Sequence, residues 1–154
     1  MGFSPESQGV GIELMPIVQE QLAQGKTVSR LPFRGCSMLP MLRQGKDAVD
    51  LAPLPSRLKK YDLPVYRYPS GKVVMHRVVG VKDDHYICLG DNTYRYEKIR
   101  PEWMIGLVTA FYREKKRILV DTVSYRIYSR IWVTIYPLRK GWRAVKQMLR
   151  RLIR

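Results

Sequence analysis

The sequence predicts a mainly β, α+β protein: an antiparallel Greek-key or barrel-like β body with a short helix before it and basic amphipathic helices after it. Three observations carry that expectation. Between Lys26 and Leu119 the apolar residues fall in short runs separated by turn chemistry. Before residue 25 and beyond Asp121 the apolar spacing is helical instead. The composition, 45% hydrophobic and 27% charged with 11 Gly and 10 Pro spread along the chain, is that of a globular protein and excludes collagen-like or low-complexity material. With 154 residues the chain can bury one core and is too short for several domains. It divides into an N-terminal segment 1–25, a β body 26–120 and a basic helical appendage 121–154.

Taken in order, Ile12, Leu14, Met15, Val18 and Leu22 recur at helical spacing and Gly25 supplies a stop, which predicts a helix over 11–24. Strands are predicted at 27–33, 48–51, 63–68, 72–82, 85–89 and 105–112. Pro69-Ser70-Gly71 and Asp83-Asp84 provide hairpin turns between three of them. Beyond Asp121, Pro137 separates two helices, because proline cannot donate in a helix interior. In the second, Leu138, Trp142, Val145, Leu149 and Leu152 line one face, while Arg139, Lys140, Arg143, Lys146, Arg150 and Arg151 fill the rest.

The net charge is +15, from 28 Lys+Arg against 13 Asp+Glu. From Arg113 to Arg154 there are thirteen basic and two acidic residues, so +11 belongs to the last 42 residues and only +4 to residues 1–112. Two kinds of partner suit the basic end: an anionic membrane, with Trp132, Tyr136 and Trp142 at the interface, or a nucleic acid or acidic peptide bound through phosphates or carboxylates. Nucleic acid ranks last, since the residues show no DNA-binding pattern. Level with the membrane stands a bland alternative, a solvated basic face whose apolar stripe packs on the β body. The longest stretch without a charged residue, 103–112, is half of the about 20 residues that a spanning helix needs. Acids at Glu6, Glu13 and Glu20 argue against a secretory signal peptide. Cys36 and Cys88 make no disulfide framework, so a cytoplasmic or peripheral-membrane location is expected.

The densest chemical signal is Gly35-Cys36-Ser37-Met38-Leu39-Pro40, followed by Gly45-Lys46-Asp47. A Ser in such a turn can present its hydroxyl outward with its own N–H facing an oxyanion. It needs a base, and there are two histidines, His76 and His85. His76 falls mid-strand, where alternation puts Val74, His76 and Val78 on one face, whereas His85 reads as a turn residue. Leu89-Gly90-Asp91-Asn92 offers a carboxylate to orient an imidazole. Each residue also has a structural explanation: a capping Ser, a hydrogen-bonded strand His, a Gly-Asp-Asn turn. Cys36 is expected to point away as a buried structural thiol. Cys36, His76, His85 and Cys88 lack ligand spacing, so neither metal nor cofactor is expected.

In order and chemistry these elements resemble the successive boxes of type I signal peptidases and the wider peptidase clan around them. The boxes are 35–42, 45–47, 76–79, 90–92 and 105–108, within residues 26–110. Met75-His76-Arg77 is similar to the subtype with His as base, found in the endoplasmic reticulum and archaea. The resemblance implies a signal-peptidase-type β fold with Ser37 as nucleophile and His76 as general base. Asp91 is the favoured third member, and Glu97, six positions on, the alternative. It further implies an oxyanion site at the Ser37 and Met38 N–H groups, cleavage of a leader or precursor peptide after small residues, and no cofactor. Such peptidases carry a transmembrane helix before the Ser box, where this chain has the short helix.

A neutral His76 base predicts activity rising with pH through the ordinary imidazole value of about 6.5. Two other functions compete: a catalytically inactive, peptide-binding relative, and a basic nucleic-acid-binding module in which Ser37 and His76 are structural.

Overall fold

The computed structural model describes residues 9–10 and 12–152. The remaining residues of the terminal segments, and residue 11 of the expected first helix, lie outside them. A 3-10 turn at Ile12–Leu14 leads into α1, Met15–Ala23, which buries Met15, Val18 and Leu22. Gly25 ends the helix as the spacing predicts: at φ 75° its N–H bonds Leu22 O at 2.9 Å while Lys26 N–H reaches Gln21 O at 3.0 Å.

Among the described residues there are ten strands: β1 Gly9–Val10, β2 Val28–Arg34, β3 Ala48–Ala52, β4 Pro64–Arg67, β5 Val73–Met75, β6 Arg77–Val81, β7 Tyr86–Leu89, β8 Glu97–Ile99, β9 Met104–Arg113 and β10 Lys116–Leu119. All pairings are antiparallel. The larger sheet runs β1-β2-β3-β9-β4-β5, with β10 also on β9. It curls until β1 contacts β5, giving a half-barrel, and β6-β7-β8 make a second, smaller sheet. The result is mixed α+β and mostly antiparallel.

Strand β9 is the spine, because it pairs β3, β4 and β10. Its Gly106 has no room for a side chain: a Cβ there would sit 2.9 Å from the Leu51 side chain and 3.0 Å from both Ala52 O and Leu22 Cδ1. Two apolar clusters result. One joins α1 to the half-barrel through residues such as Leu22, Leu51, Val65 and Val108; the other gathers Tyr66, Val74, Val78, Cys88 and Ile99 beside the smaller sheet.

The expected strand 72–82 is two strands. Residues 73–78 are all buried, so this run is covered on both faces and does not alternate inside to outside. Val73–Met75 pairs with β4 and Arg77–Val81 with β7, so the chain changes sheets at His76. Val74 and Val78 nevertheless share one cluster, as their spacing implies. Strands β8 and β10 are not apparent in the sequence because both are short and charge-rich, held by neighbours rather than by an apolar pattern.

The C-terminal helices are α2, Val123–Thr134, and α3, Tyr136–Leu152. The break falls at Ile135, and Pro137 stands in the first turn of α3, where its missing N–H costs nothing. Helix α2 docks by Tyr125, whose ring lies 6.0 Å from that of Phe111. In contrast, α3 buries only Tyr136, and Leu138, Trp142, Val145, Leu149 and Leu152 are exposed. This rules against the alternative in which the stripe packs on the β body. Trp132 and Tyr136 are also withdrawn from an exposed interface, Trp132 half-buried and Tyr136 buried against Tyr94 and Tyr96.

Candidate active site

The Ser37 turn leaves β2 through Gly35, whose φ of 105° favours glycine and whose N–H is held by Gln44 Oε1 at 2.8 Å. Leu39 N–H closes on Cys36 O at 3.2 Å and Leu42 N–H on Met38 O at 2.9 Å, across a cis Leu39-Pro40 bond. Met38, Met41 and Leu42 are buried and anchor the turn, which leaves Ser37 half-buried at its surface. Asp47 clasps Arg43 through its N–H at 2.9 Å and its Nη2 at 2.8 Å, closing the following loop. Burial pushes the Asp47 carboxyl up, but Arg43 outweighs it and holds the group below its ordinary value. Cys36 is exposed, not the buried thiol expected.

His76 is buried at the crossing between the sheets, with Nδ1 2.6 Å from Glu97 Oε2. Register explains the meeting. Glu97 pairs with Cys88 and Cys88 with Val78, so the first residue of β8 reaches across β7 to the crossing. Tyr66 on β4 donates its hydroxyl to the same Oε2 at 2.7 Å and lies 3.2 Å from Nδ1. Burial alone would raise the Glu97 carboxyl. The hydrogen bond and charge of His76, with the Tyr66 and Tyr68 hydroxyls, prevail and keep it below its ordinary value. Burial and the Glu97 charge push the Cys88 thiol up to about 12. Burial likewise drives the Tyr66 phenol above its ordinary value, leaving its O–H as a donor.

An ionised carboxylate only accepts, so Nδ1 carries the ring proton and the lone pair of neutral His76 is on Nε2. That Nε2 is buried and has no hydrogen-bond partner among the described residues. It faces the Ser37 turn across Gly90. A Cβ on Gly90 would lie 2.8 Å from each of His76 Nε2, Ser37 O and Thr93 Cγ2, so only glycine lets the imidazole and the Ser37 backbone come together here. Asn92 fixes the same approach, its N–H on Ser37 O at 2.7 Å and its Nδ2 on Cys36 O at 3.1 Å. Ser37 Oγ makes no hydrogen bond with Nε2. The N–H groups of Ser37 and Met38 donate to no acceptor among the described residues.

Asp91 is elsewhere. Arg77 Nε and Nη2 grip its two oxygens at 2.9 and 2.7 Å, and Tyr128 donates to Oδ2 at 3.0 Å. Arg77 is completely buried and completes its bonds with Nη1 on Tyr125 OH at 2.7 Å. Burial works against the Arg77 charge, but the Asp91 carboxylate more than offsets it. The carboxylate on His76 is therefore Glu97, and the preference for Asp91 is corrected. Asp91 follows Gly90 in the turn, but an adjacent buried guanidinium takes its side chain in a two-pronged bond that an imidazole cannot match. The Asp91 carbonyl is held by Trp132 Nε1 at 2.8 Å and by Arg139, so the helical appendage is tied to this turn.

Tyr66, Tyr68 and Arg77 are the site residues that sequence reasoning missed. Their contacts cross strands, and no spacing in the chain signals them. His85 pairs with Asp84 in its turn. The chain matches no family model, no curated protein and no solved structure.

Proposed function

We propose that this chain is a serine endopeptidase of the signal-peptidase-like kind, with Ser37 as nucleophile, His76 as general base and Glu97 orienting the imidazole. The observation that carries the reading is the buried, unpartnered Nε2 of His76, held toward the Ser37 turn by a carboxylate on its other nitrogen. In this reading the Greek-key, signal-peptidase-type arrangement is the scaffold, and a precursor peptide bearing small side chains before the scissile bond is the substrate.

The chemistry follows from the groups. Substrate binding brings Ser37 Oγ to Nε2, a contact that tightens only in the complex in many hydrolases. His76 takes the hydroxyl proton as Oγ attacks the peptide carbonyl, and Glu97 stabilises the imidazolium. The Ser37 and Met38 N–H groups receive the oxyanion. The imidazolium returns its proton to the leaving amine. Water, deprotonated by the same nitrogen, then hydrolyses the acyl-enzyme and regenerates Ser37.

A serine-directed acylating probe tests this. Intact-mass analysis is expected to show one adduct on the wild type, at Ser37, and none on Ser37→Ala or His76→Ala. An unlabelled wild type that also cleaves nothing in a peptide library with small residues before the bond would end the enzyme reading.

A further inference from the structure

We infer that α3, with the exposed side of α2, is a docking surface for an anionic lipid bilayer, on which α3 lies parallel to the membrane plane. Leu138, Trp142, Val145, Leu149 and Leu152, with Met148, fall within an arc of about 120° at 3.6 residues per turn. They are open to solvent, Leu138 at 76%, Trp142 at 62% and Leu152 at 73%. Helix α2 adds Val123, Ile127 and Ile131 at steps of four, also exposed. Among the described residues nothing covers either stripe.

The way α3 is anchored leaves that face outward. Its contacts with the rest of the protein are made by Tyr136 and by arginines on its flank: Arg139 over the Trp132 ring of α2 at 3.9 Å and Arg143 over Tyr94 at 4.4 Å. The apolar arc is turned away from these arginines. Lys140, Lys146, Arg150 and Arg151 complete the polar circumference, and no Asp or Glu follows Asp121.

Charge selects the occupant. A second copy packed face to face would bring together two helices of six basic residues each with no acid between them. A duplex would satisfy the cations while leaving Leu and Trp in water. An anionic bilayer offers both complements at once, phosphates for Lys and Arg and an acyl boundary about 5–10 Å deep for the apolar face. The described helices include none long and apolar enough to cross a membrane. The inference is independent of the peptidase reading, and its readout is binding.

The experiment is flotation of the full chain at physiological ionic strength with vesicles of phosphatidylcholine alone or mixed with phosphatidylglycerol, beside a duplex oligonucleotide in the same buffer. Binding to the mixed vesicles is expected, with a blue shift of tryptophan fluorescence that disappears in Trp142→Phe. Lys140→Gln and Lys146→Gln each weaken partition about fivefold. Leu149→Gln weakens it about tenfold with an unchanged thermal midpoint. Equal binding to neutral vesicles, or binding indifferent to Leu149→Gln, overturns the proposal. So does a tighter complex with the duplex, or self-association that removes the protein from vesicles.

Discussion

His76 and Arg77 are neighbours in the chain and each meets a carboxylate, yet the two pairs differ in what they leave open. Arg77 and Asp91 are sealed: their side chains are 0% and 2% exposed, and Nε, Nη1 and Nη2 of the guanidinium all have partners. His76 and Glu97 are poised: the Glu97 side chain keeps 28% exposure, and one ring nitrogen has no partner among the described residues. A saturated ion pair can only hold structure. An imidazole oriented from one side and unsatisfied on the other can move a proton. The switch between sheets at His76 produces the contrast, because it sends consecutive side chains into different surroundings.

The largest effect expected from breaking the comparison is on activity. In the proposed peptidase, Glu97→Gln keeps the size of the side chain but cannot stabilise an imidazolium, and turnover should fall about 10⁴-fold in a protein that still folds, its urea midpoint at neutral pH lowered by the lost carboxylate contribution. A comparable loss of turnover in Asp91→Asn with Glu97→Gln active would return the orienting role to Asp91. The next effect is on stability. Asp91→Ala strands a fully buried Arg77, which should cost about 3–5 kcal/mol in urea unfolding. A cost as small as that of a surface change would mean that the sealed pair is not what holds the turn.

The smallest effect sharpens the poised pair through pH. The folded protein holds the Glu97 carboxyl below its ordinary value of 4.5, burial being outweighed by His76, Tyr66 and Tyr68. Its contribution is therefore complete above pH 4.5 and is lost as pH falls through the lowered folded value. Urea midpoints of wild type and Glu97→Gln should converge as the solution is acidified. A gap that widens instead would reverse the sign of the coupling.

Much of the fold was legible because it rests on local chemistry. Gly25 stops α1, Gly71 at φ 87° turns β4 into β5, and Pro137 opens α3, each doing what its residue type dictates. What was not legible depends on distant partners. Lys116–Leu119 is a strand only because β9 lies beside it. The divided run at 73–81 reflects a change of pairing partner that its own valines do not announce. In the candidate site, Ser37 and His76 stood out through turn chemistry and the scarcity of histidine. The choice of acid was decided by the reach of the strands.

By itself the sequence determined the antiparallel β body, its turns, the concentration of +11 in the last 42 residues and the amphipathic period of α3, since composition and spacing are properties of the chain alone. Only the tertiary structure decided that Glu97 meets the imidazole, that Asp91 belongs to Arg77, and that the apolar stripe of α3 faces out. Each is a contact, or the absence of one, between residues far apart in the chain. Side chains there compete for the same buried neighbour, and the geometry of the closed fold selects the winner.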